Sequence, residues 1–107
     1  MKVINLIRKE AKTLKFTVTD SSGNIIDVSS ATCYLYIKNN IEDPDSLITK
    51  LDSDFNKAQA SNGILKVTLT SDDLDRYGTF YGILKLEFSA TNIDKSIFKI
   101  IITNNTD

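Results

Sequence analysis

The sequence predicts an all-β domain in which two antiparallel sheets pack as a β-sandwich of about seven or eight strands. Side chains that suit a pleated sheet are abundant: Ile contributes 14, Val 4 and Thr 11 of the 107 residues, whereas Ala contributes 5. Short segments with alternating apolar and polar residues recur along the chain, with turn signals between them. This spacing favours a sandwich over a barrel.

The clearest segment is residues 79–88, which we predict to be the long strand that organises the sandwich. One face is apolar and the other is mixed, the two sets being Phe80, Gly82, Leu84, Leu86 and Phe88 against Tyr81, Ile83, Lys85, Glu87 and Ser89. Ahead of this strand, residues 71–74 predict one helical turn capped by Ser71. Gly78 is suited to the positive φ that the chain needs to enter the strand. Tyr77 has the position of a structural corner tyrosine.

The other strands follow the same alternation and are separated by polar loops. They are predicted at residues 2–8 (an edge strand), 12–19, 25–28, 32–38, 47–51, 64–70 and 96–103. Loops are predicted at residues 20–24, 39–45, 52–62 (followed by the Asn62-Gly63 turn), 91–95 and in a frayed tail at 104–107. In residues 32–38 the alternation places Cys33 in the core, and the run Ile100, Ile101 and Ile102 suits a strand covered on both faces.

Length and charge limit the possible roles. The 107 residues fit a single domain spanning residues 1–107, long enough to bury a core without disulfides. The net charge of −1 predicts no attraction to nucleic acid or to an anionic membrane, so the expected partner is protein. The N-terminal residues are too short and polar for a signal peptide, which predicts synthesis in the cytosol.

The chemistry-bearing side chains form no catalytic, cofactor or metal site by pattern. Histidine is absent and Cys33 has no base beside it. Residues 52–63 begin like a calcium loop, but Lys57 and Gly63 stand where that loop needs a glycine and a bidentate glutamate. Four aspartates beside turns are predicted to hydrogen-bond the turn backbone, namely Asp20, Asp27, Asp43 and Asp45. Asp72, Asp73 and Asp75 could bind a cation or act as paired carboxylates, but the stronger prediction is that they lie in the first helical turn, where the helix dipole favours acidic residues. Residues 104–106 match a glycosylation acceptor, which a cytosolic chain would not use.

Two groups of apolar residues are candidate interface residues. Tyr34, Tyr36 and Tyr81 lie opposite the predicted core and form an aromatic patch if their strands are neighbours. The alternative is that each tyrosine only covers a lysine stem or closes the sheet surface. Ile4 and Ile7 belong to a first strand that is apolar on both faces and needs cover. With a net charge of −1, we expect binding there to depend weakly on salt.

Several short motifs occur together in a recognisable order. They are Phe16-Thr17-Val18-Thr19-Asp20 before Gly23, Ile26-Asp27-Val28-Ser29 with Ala31-Thr32, Tyr36-Ile37-Lys38, Ser71-Asp72-Asp73-Leu74, Gly78-Thr79-Phe80-Tyr81 and Lys85-Leu86. This order resembles the immunoglobulin-like domain at the N-terminus of bacteriophage baseplate upper proteins, over roughly residues 10–103. Gly82 stands where an acidic residue is common in that family.

The resemblance implies an immunoglobulin-like fold and a non-enzymatic virion component, in the tail or baseplate or as a capsid accessory. It would be made in the host cytoplasm, take its place in the virion in multiple copies, and bind other virion proteins rather than nucleic acid or membrane. The alternative function is a carbohydrate-binding or adhesion module that recognises a bacterial surface. Copies in an assembled particle would favour the first, and glycan binding by the isolated domain would favour the second.

Overall fold

The computed structural model describes residues 1–104, which form eight strands and two short 3₁₀ helices. The strands are β1 (Val3–Ile7), β2 (Lys12–Thr17), β3 (Thr32–Lys38), β4 (Ile48–Lys50), β5 (Phe55–Asn56), β6 (Ile64–Leu69), β7 (Gly78–Glu87) and β8 (Ile93–Thr103). The 3₁₀ helices are Asp52–Asp54 and Ala60–Asn62. In this part of the chain neither helix has the length or apolar character needed to cross a bilayer.

The strands form two sheets that pack as a sandwich, as predicted. One sheet has five strands in the order β1-β8-β7-β3-β4, and the other has three in the order β2-β6-β5. Strand pairing is antiparallel except between β1 and β8, which run parallel. These two strands lie near opposite ends of the described chain, so the whole domain serves as the long connection that a parallel pair requires.

Strand β7 is central, and its predicted alternation is confirmed. It pairs with β3 on one side and with β8 on the other, so it has no free edge. Phe80, Gly82, Leu84 and Leu86 are buried, whereas the residues that alternate with them are partly exposed. One face of the five-stranded sheet therefore lies on the core and the other faces outward.

The core lies between the two sheets and is entirely apolar. Its largest fully buried side chains come from both sheets and the connections, and they are Val28, Cys33, Leu35, Ile37, Leu65, Val67, Leu69, Leu74 and Ile100. The prediction that Cys33 is buried is confirmed. In the Ile100–Ile102 run, Ile100 and Ile102 are buried while Ile101 is partly exposed, so only one face is fully covered.

The connection before β7 differs from the prediction. Residues 71–74 form turns rather than a helix, and the capping residue is Thr70, not Ser71. The Asp73 amide donates to Thr70 Oγ1 at 3.2 Å, and the Thr70 amide donates to Asp73 Oδ2 at 2.9 Å. Gly78 has the expected positive φ, 124°. Tyr77 is 63% exposed, so the prediction of a structural corner tyrosine was wrong.

Other differences concern short or polar segments. Residues 25–28 form no strand and contribute one isolated bridge, between Thr19 and Ile25. Strand β5 lies inside a stretch predicted to be loop, and β8 begins at Ile93 rather than Ser96. The predicted turn at Asn62-Gly63 is present, with Gly63 ending a 3₁₀ helix at a φ of 75° directly before β6. The predicted frayed tail lies outside the described residues apart from Asn104.

Candidate protein interface

The side of the five-stranded sheet that faces away from the core carries four of the five candidate interface residues, namely Ile7, Tyr34, Tyr36 and Tyr81. We call it the outer face. Strand register assigns to it Val3, Asn5, Ile7, Thr32, Tyr34, Tyr36, Lys38, Thr49, Thr79, Tyr81, Ile83, Lys85, Glu87, Ile93, Lys95, Ile97, Lys99, Ile101 and Thr103. On an antiparallel sheet with one solvated side, the residues on that side are usually polar. The outer face instead carries many aliphatic and aromatic side chains, as a binding surface would.

The middle of the outer face is an apolar row that crosses three strands. Tyr36 on β3 is registered with Ile83 on β7, and Ile83 is registered with Ile97 on β8. Ile41, from the loop after β3, joins these residues in lining a hollow of about 350 Å³. Sequence reasoning did not select Ile83 and Ile97, although the alternation of residues 79–88 already placed Ile83 on this face.

The three candidate tyrosines lie on neighbouring strands, as the aromatic-patch hypothesis required. The rings of Tyr34 and Tyr36 stack, with centroids 6.1 Å apart and planes 6° from parallel. The Lys85 ammonium lies 5.1 Å from the centroid of the Tyr34 ring. Tyr81 is registered between Lys38 and Lys99, one row away from Tyr36. The Lys85 ammonium thus covers part of the Tyr34 ring, which supports a sheet-closing role for Tyr34 in particular.

Ile4 and Ile7, the other two candidates, lie on opposite faces of β1. Ile4 is half-buried and packs against the core, on the same side as the buried Leu6. Ile7 is 42% exposed and belongs to the outer face with Val3. Only Ile7 therefore remains available for a contact with another molecule.

The outer face is positively charged although the chain is not. It carries Lys38, Lys85, Lys95 and Lys99 against a single acidic residue, Glu87. Lys85 Nζ lies 3.6 Å from Glu87 Oε2, so one lysine has an acidic neighbour on the same face. The net charge of −1 does not describe this surface. We therefore expect contacts made here to favour acidic partners and to weaken with salt.

The calcium-like stretch has a structural use in the described chain. Asp52 Oδ1 accepts from the Cys33 amide at 2.9 Å and from Lys57 Nζ at 3.2 Å. Lys57 Nζ also donates to the Ala31 carbonyl at 2.6 Å. The backbone bond from Cys33 is the largest of the interactions that lower the Asp52 pKa. Asp54 is also engaged, since its Oδ2 accepts from the Leu51 amide at 2.9 Å.

Other carboxylates hold turns, as predicted. Asp20 Oδ1 accepts from the amides of Ser22 and Asn24, both at 2.9 Å, and the bond from Asn24 contributes most to lowering its pKa. Asp27 Oδ1 accepts from the hydroxyl of Ser29 at 2.6 Å and from its amide at 2.9 Å, and the hydroxyl bond contributes most to lowering its pKa.

Asp43, Asp73 and Asp75 each have a partner too. Asp43 Oδ2 accepts from the Asn40 amide at 3.0 Å, and Asp75 Oδ1 from Arg8 Nε at 3.0 Å. Asp73 Oδ2 accepts from the Thr70 amide and lies 2.7 Å from Lys50 Nζ. Burial raises the Asp73 pKa, but the bonds from Lys50 and Thr70 outweigh it and the net shift is downward.

Cys33 lacks the environment of a reactive thiol. It is fully buried, and burial is the main cause that raises its pKa to about 11. A thiol protonated at neutral pH and closed to solvent is a poor nucleophile. Over residues 1–104, His, Cys, Asp and Glu form no cluster of three or more that could hold a metal ion.

Comparison with known proteins gives a likeness in three dimensions. No family model matches the sequence, and no curated protein does either. Among solved structures, the N-terminal domain of ORF48 of phage TP901-1 matches with a TM-score of 0.63 and 10% sequence identity. The match covers 94% of this chain and 83% of that one. The likeness is one of fold.

Proposed function

We propose that this chain is a non-enzymatic structural component of a bacteriophage virion that acts through protein–protein contacts. The outer face carries the proposal, because it combines an aliphatic and aromatic row with lysines on a regular sheet. Such a surface suits a protein partner, with apolar residues supplying contact area and charges supplying orientation. The engaged carboxylates and the buried Cys33 thiol offer little to a catalytic role.

The kind of assembly is suggested by the fold. The matched solved structure is a domain of a phage protein and spans nearly the whole of this chain. The sheet order also agrees with the immunoglobulin-like module suggested by the sequence motifs of baseplate upper proteins. We therefore place the chain in the tail or baseplate, or on the capsid as an accessory, in multiple copies.

The direct test uses particles of a phage that encodes this chain. An epitope tag after Asp107 allows the chain to be labelled, and quantitative mass spectrometry of purified particles measures copy number. The proposal predicts a fixed, multiple copy number relative to the major capsid protein, and immunogold labelling then locates the copies. A chain recovered only from the particle-free lysate would reject the proposal.

A carbohydrate-binding or adhesion role is the second candidate, and one surface feature favours it. A shallow hollow at the end of the outer face is lined by Tyr81 together with Asn40, Ile41, Glu42 and Asp43. An aromatic ring beside amide and carboxylate groups suits the apolar face and hydroxyls of a sugar. Glycan binding by the 107-residue chain, lost in Tyr81→Ala, would support this role. No binding on an array of bacterial surface glycans would remove it.

A further inference from the structure

Half of strand β8 has no neighbour on one side. Strand β7 pairs with β8 along Ile93 to Ile102, whereas β1 pairs with it only from Lys99 to Thr103. Residues 93–98 therefore form an open edge of the five-stranded sheet. We call residues 93–98 the open edge segment.

The backbone direction along the open edge segment follows from the bonds at its flank. The Lys99 amide donates to the Lys2 carbonyl at 2.9 Å, and the Thr103 carbonyl accepts from the Arg8 amide at 2.9 Å, so both point to the β1 side. Backbone groups alternate sides along a strand. The N–H and C=O groups of Ile93, Lys95 and Ile97 therefore point away from the sheet, where no described strand receives them.

A cleft opens into the core directly behind this edge. It has a volume of about 440 Å³ and lies between the two sheets, with residues 94–98 on one rim and residues 16–19 on the other. Its apolar lining consists of Phe16, Val18, Ile26, Leu84, Leu86, Ile97 and Phe98. A strand added to the edge would point every second side chain into this cleft.

The other side of such a strand would meet lysines. Lys95 and Lys99 are on the outer face, and Lys2 lies at the rim of the cleft. Asp94 is the one acidic residue among those that line the cleft, and it stands at the end far from β1. An acidic side chain opposite Lys95 would be matched directly, and one opposite Ile97 would lie diagonal to both Lys95 and Lys99, because Lys99 itself is opposite Val3 of β1.

We propose that the open edge segment binds an extended, acidic segment of a partner protein, which adds a strand beside residues 93–98. Its inward side chains are apolar and fill the cleft, and its outward side chains are Asp or Glu facing Lys95 and Lys99. This recognition mode is strand addition, in which backbone bonds supply affinity and alternate side chains supply specificity. The inference deepens the proposed function by naming the chemistry of the partner.

Charge argues against a second copy of the chain as the occupant. Two open edge segments that pair in antiparallel fashion centred on Lys95 would place Lys95 directly opposite the second copy's Lys95, and a register centred on Ser96 would place it opposite Ile97, without an acidic partner. Like charges directly opposite each other destabilise a strand pair. A partner segment that alternates apolar and acidic residues has no such conflict.

The test is residue-resolved amide hydrogen exchange with a capped synthetic peptide that alternates Val with Glu and Asp. Without peptide, the amides of Ile93, Lys95 and Ile97 exchange fast, whereas those of Asp94, Ser96 and Phe98 are already protected by β7. Peptide is expected to slow exchange about tenfold or more at the three odd-numbered amides only. A matched peptide with Lys in place of the acidic residues is the control and should give no protection.

Two variants separate the edge from the rest of the molecule. Lys95→Glu should weaken binding of the acidic peptide about fivefold, while Lys15→Glu, on the far sheet, should not change it. Ile97→Pro removes an N–H that points away from β7 at the sheet edge, so the hydrogen bonds between β7 and β8 are kept. A urea melt checks that this variant remains folded. Each variant, if it fails to fold, leaves the other to test the proposal.

Three results would overturn the inference. They are unchanged exchange at Ile93, Lys95 and Ile97 with millimolar acidic peptide, equal protection by the lysine peptide, or a dimer in sedimentation that protects these same amides. Failure of this inference can be told apart from failure of the proposed function. Normal entry of Lys95→Glu and Ile97→Pro into particles would count only against partner binding at the open edge segment. Peptide binding by a chain that is absent from particles would count only against the virion role.

Discussion

The ring of Phe98 on β8 lies directly on Gly82, its register partner on β7. A Cβ built at Gly82 would overlap the ring edge of Phe98, with Cε1 only 2.9 Å away. The same ring contacts Phe16 of the opposite sheet, with centroids 5.6 Å apart and planes inclined by 52°. The missing side chain at Gly82 thus makes room for an aromatic ring that joins the two sheets beside the cleft.

Adding a methyl group at this contact should destabilise the fold. Gly82→Ala is expected to cost about 1 to 3 kcal/mol, because the ring must leave its position or the strands must separate. Urea unfolding followed by tyrosine fluorescence or circular dichroism measures the loss. Phe98→Leu in the same chain should recover part of it, because the smaller side chain gives the methyl group space. An unchanged midpoint for Gly82→Ala would show that the contact is looser than described.

The faces of β7 can be tested with adjacent residues. Leu84 is 5% exposed and lies on the core side, whereas Lys85 is on the outer face. Leu84→Ala should lower the free energy of unfolding by about 2 to 5 kcal/mol, and Lys85→Ala by less than about 1 kcal/mol. Equal losses in parallel urea melts would mean that the two faces are assigned wrongly.

Asp52 should act as a structural clamp that needs no metal. Asp52→Ala leaves the Cys33 amide without its acceptor and should cost about 1 kcal/mol or somewhat more. Asp54→Ala, which removes a more exposed local bond, should cost less. Addition of calcium chloride or of a chelator should leave the melting temperature of the wild type unchanged. A drop of several degrees with chelator would instead indicate a bound cation.

Stability should fall in acid below the ordinary aspartate range. The pKa values of Asp20, Asp27, Asp52 and Asp73 in the folded chain lie below the usual 3.8. The unfolded chain therefore binds protons more readily, so this contribution is present above pH 3.8 and is lost as pH falls through the folded-state values. With no histidine, the urea midpoint should change little between about pH 5 and pH 7. A midpoint that rises on acidification below pH 3.8 would contradict this assignment.

Strands with one apolar face were predictable because their alternation is a local property. Thr32–Lys38 has the predicted bounds, and Phe80, Gly82, Leu84 and Leu86 of β7 are buried as predicted, while Phe88 lies just after the strand and is partly buried. Strand β5 was not predictable, since Phe55 and Asn56 are two residues in a polar stretch that become a strand only by pairing with β6. The early start of β8 is similar, because its exposed residues 93–95 gain their strand character from β7.

The candidate interface was only partly predictable for a related reason. The sequence indicated that Tyr34, Tyr36 and Tyr81 point away from the core, but it could not show which lysines stand beside them. The first strand is apolar on both faces, and only its parallel pairing with β8 decides that Ile4 faces the core and Ile7 faces outward. The open edge segment depends on where β1 ends along β8, which is a tertiary relationship.

The most direct test of the proposed assembly role is the incorporation of outer-face variants into particles. Ile7→Asp and Ile97→Asp each place a charge on the outer face at a residue that is 42% exposed, so both chains should fold as judged by urea melts. Thr13→Asp, exposed on the three-stranded sheet, is the control with the same change in charge. We predict that copy number in purified particles, measured by mass spectrometry, falls severalfold for the two isoleucine variants and stays at the wild-type value for Thr13→Asp. Wild-type copy number for both isoleucine variants would contradict a role for the outer face in assembly.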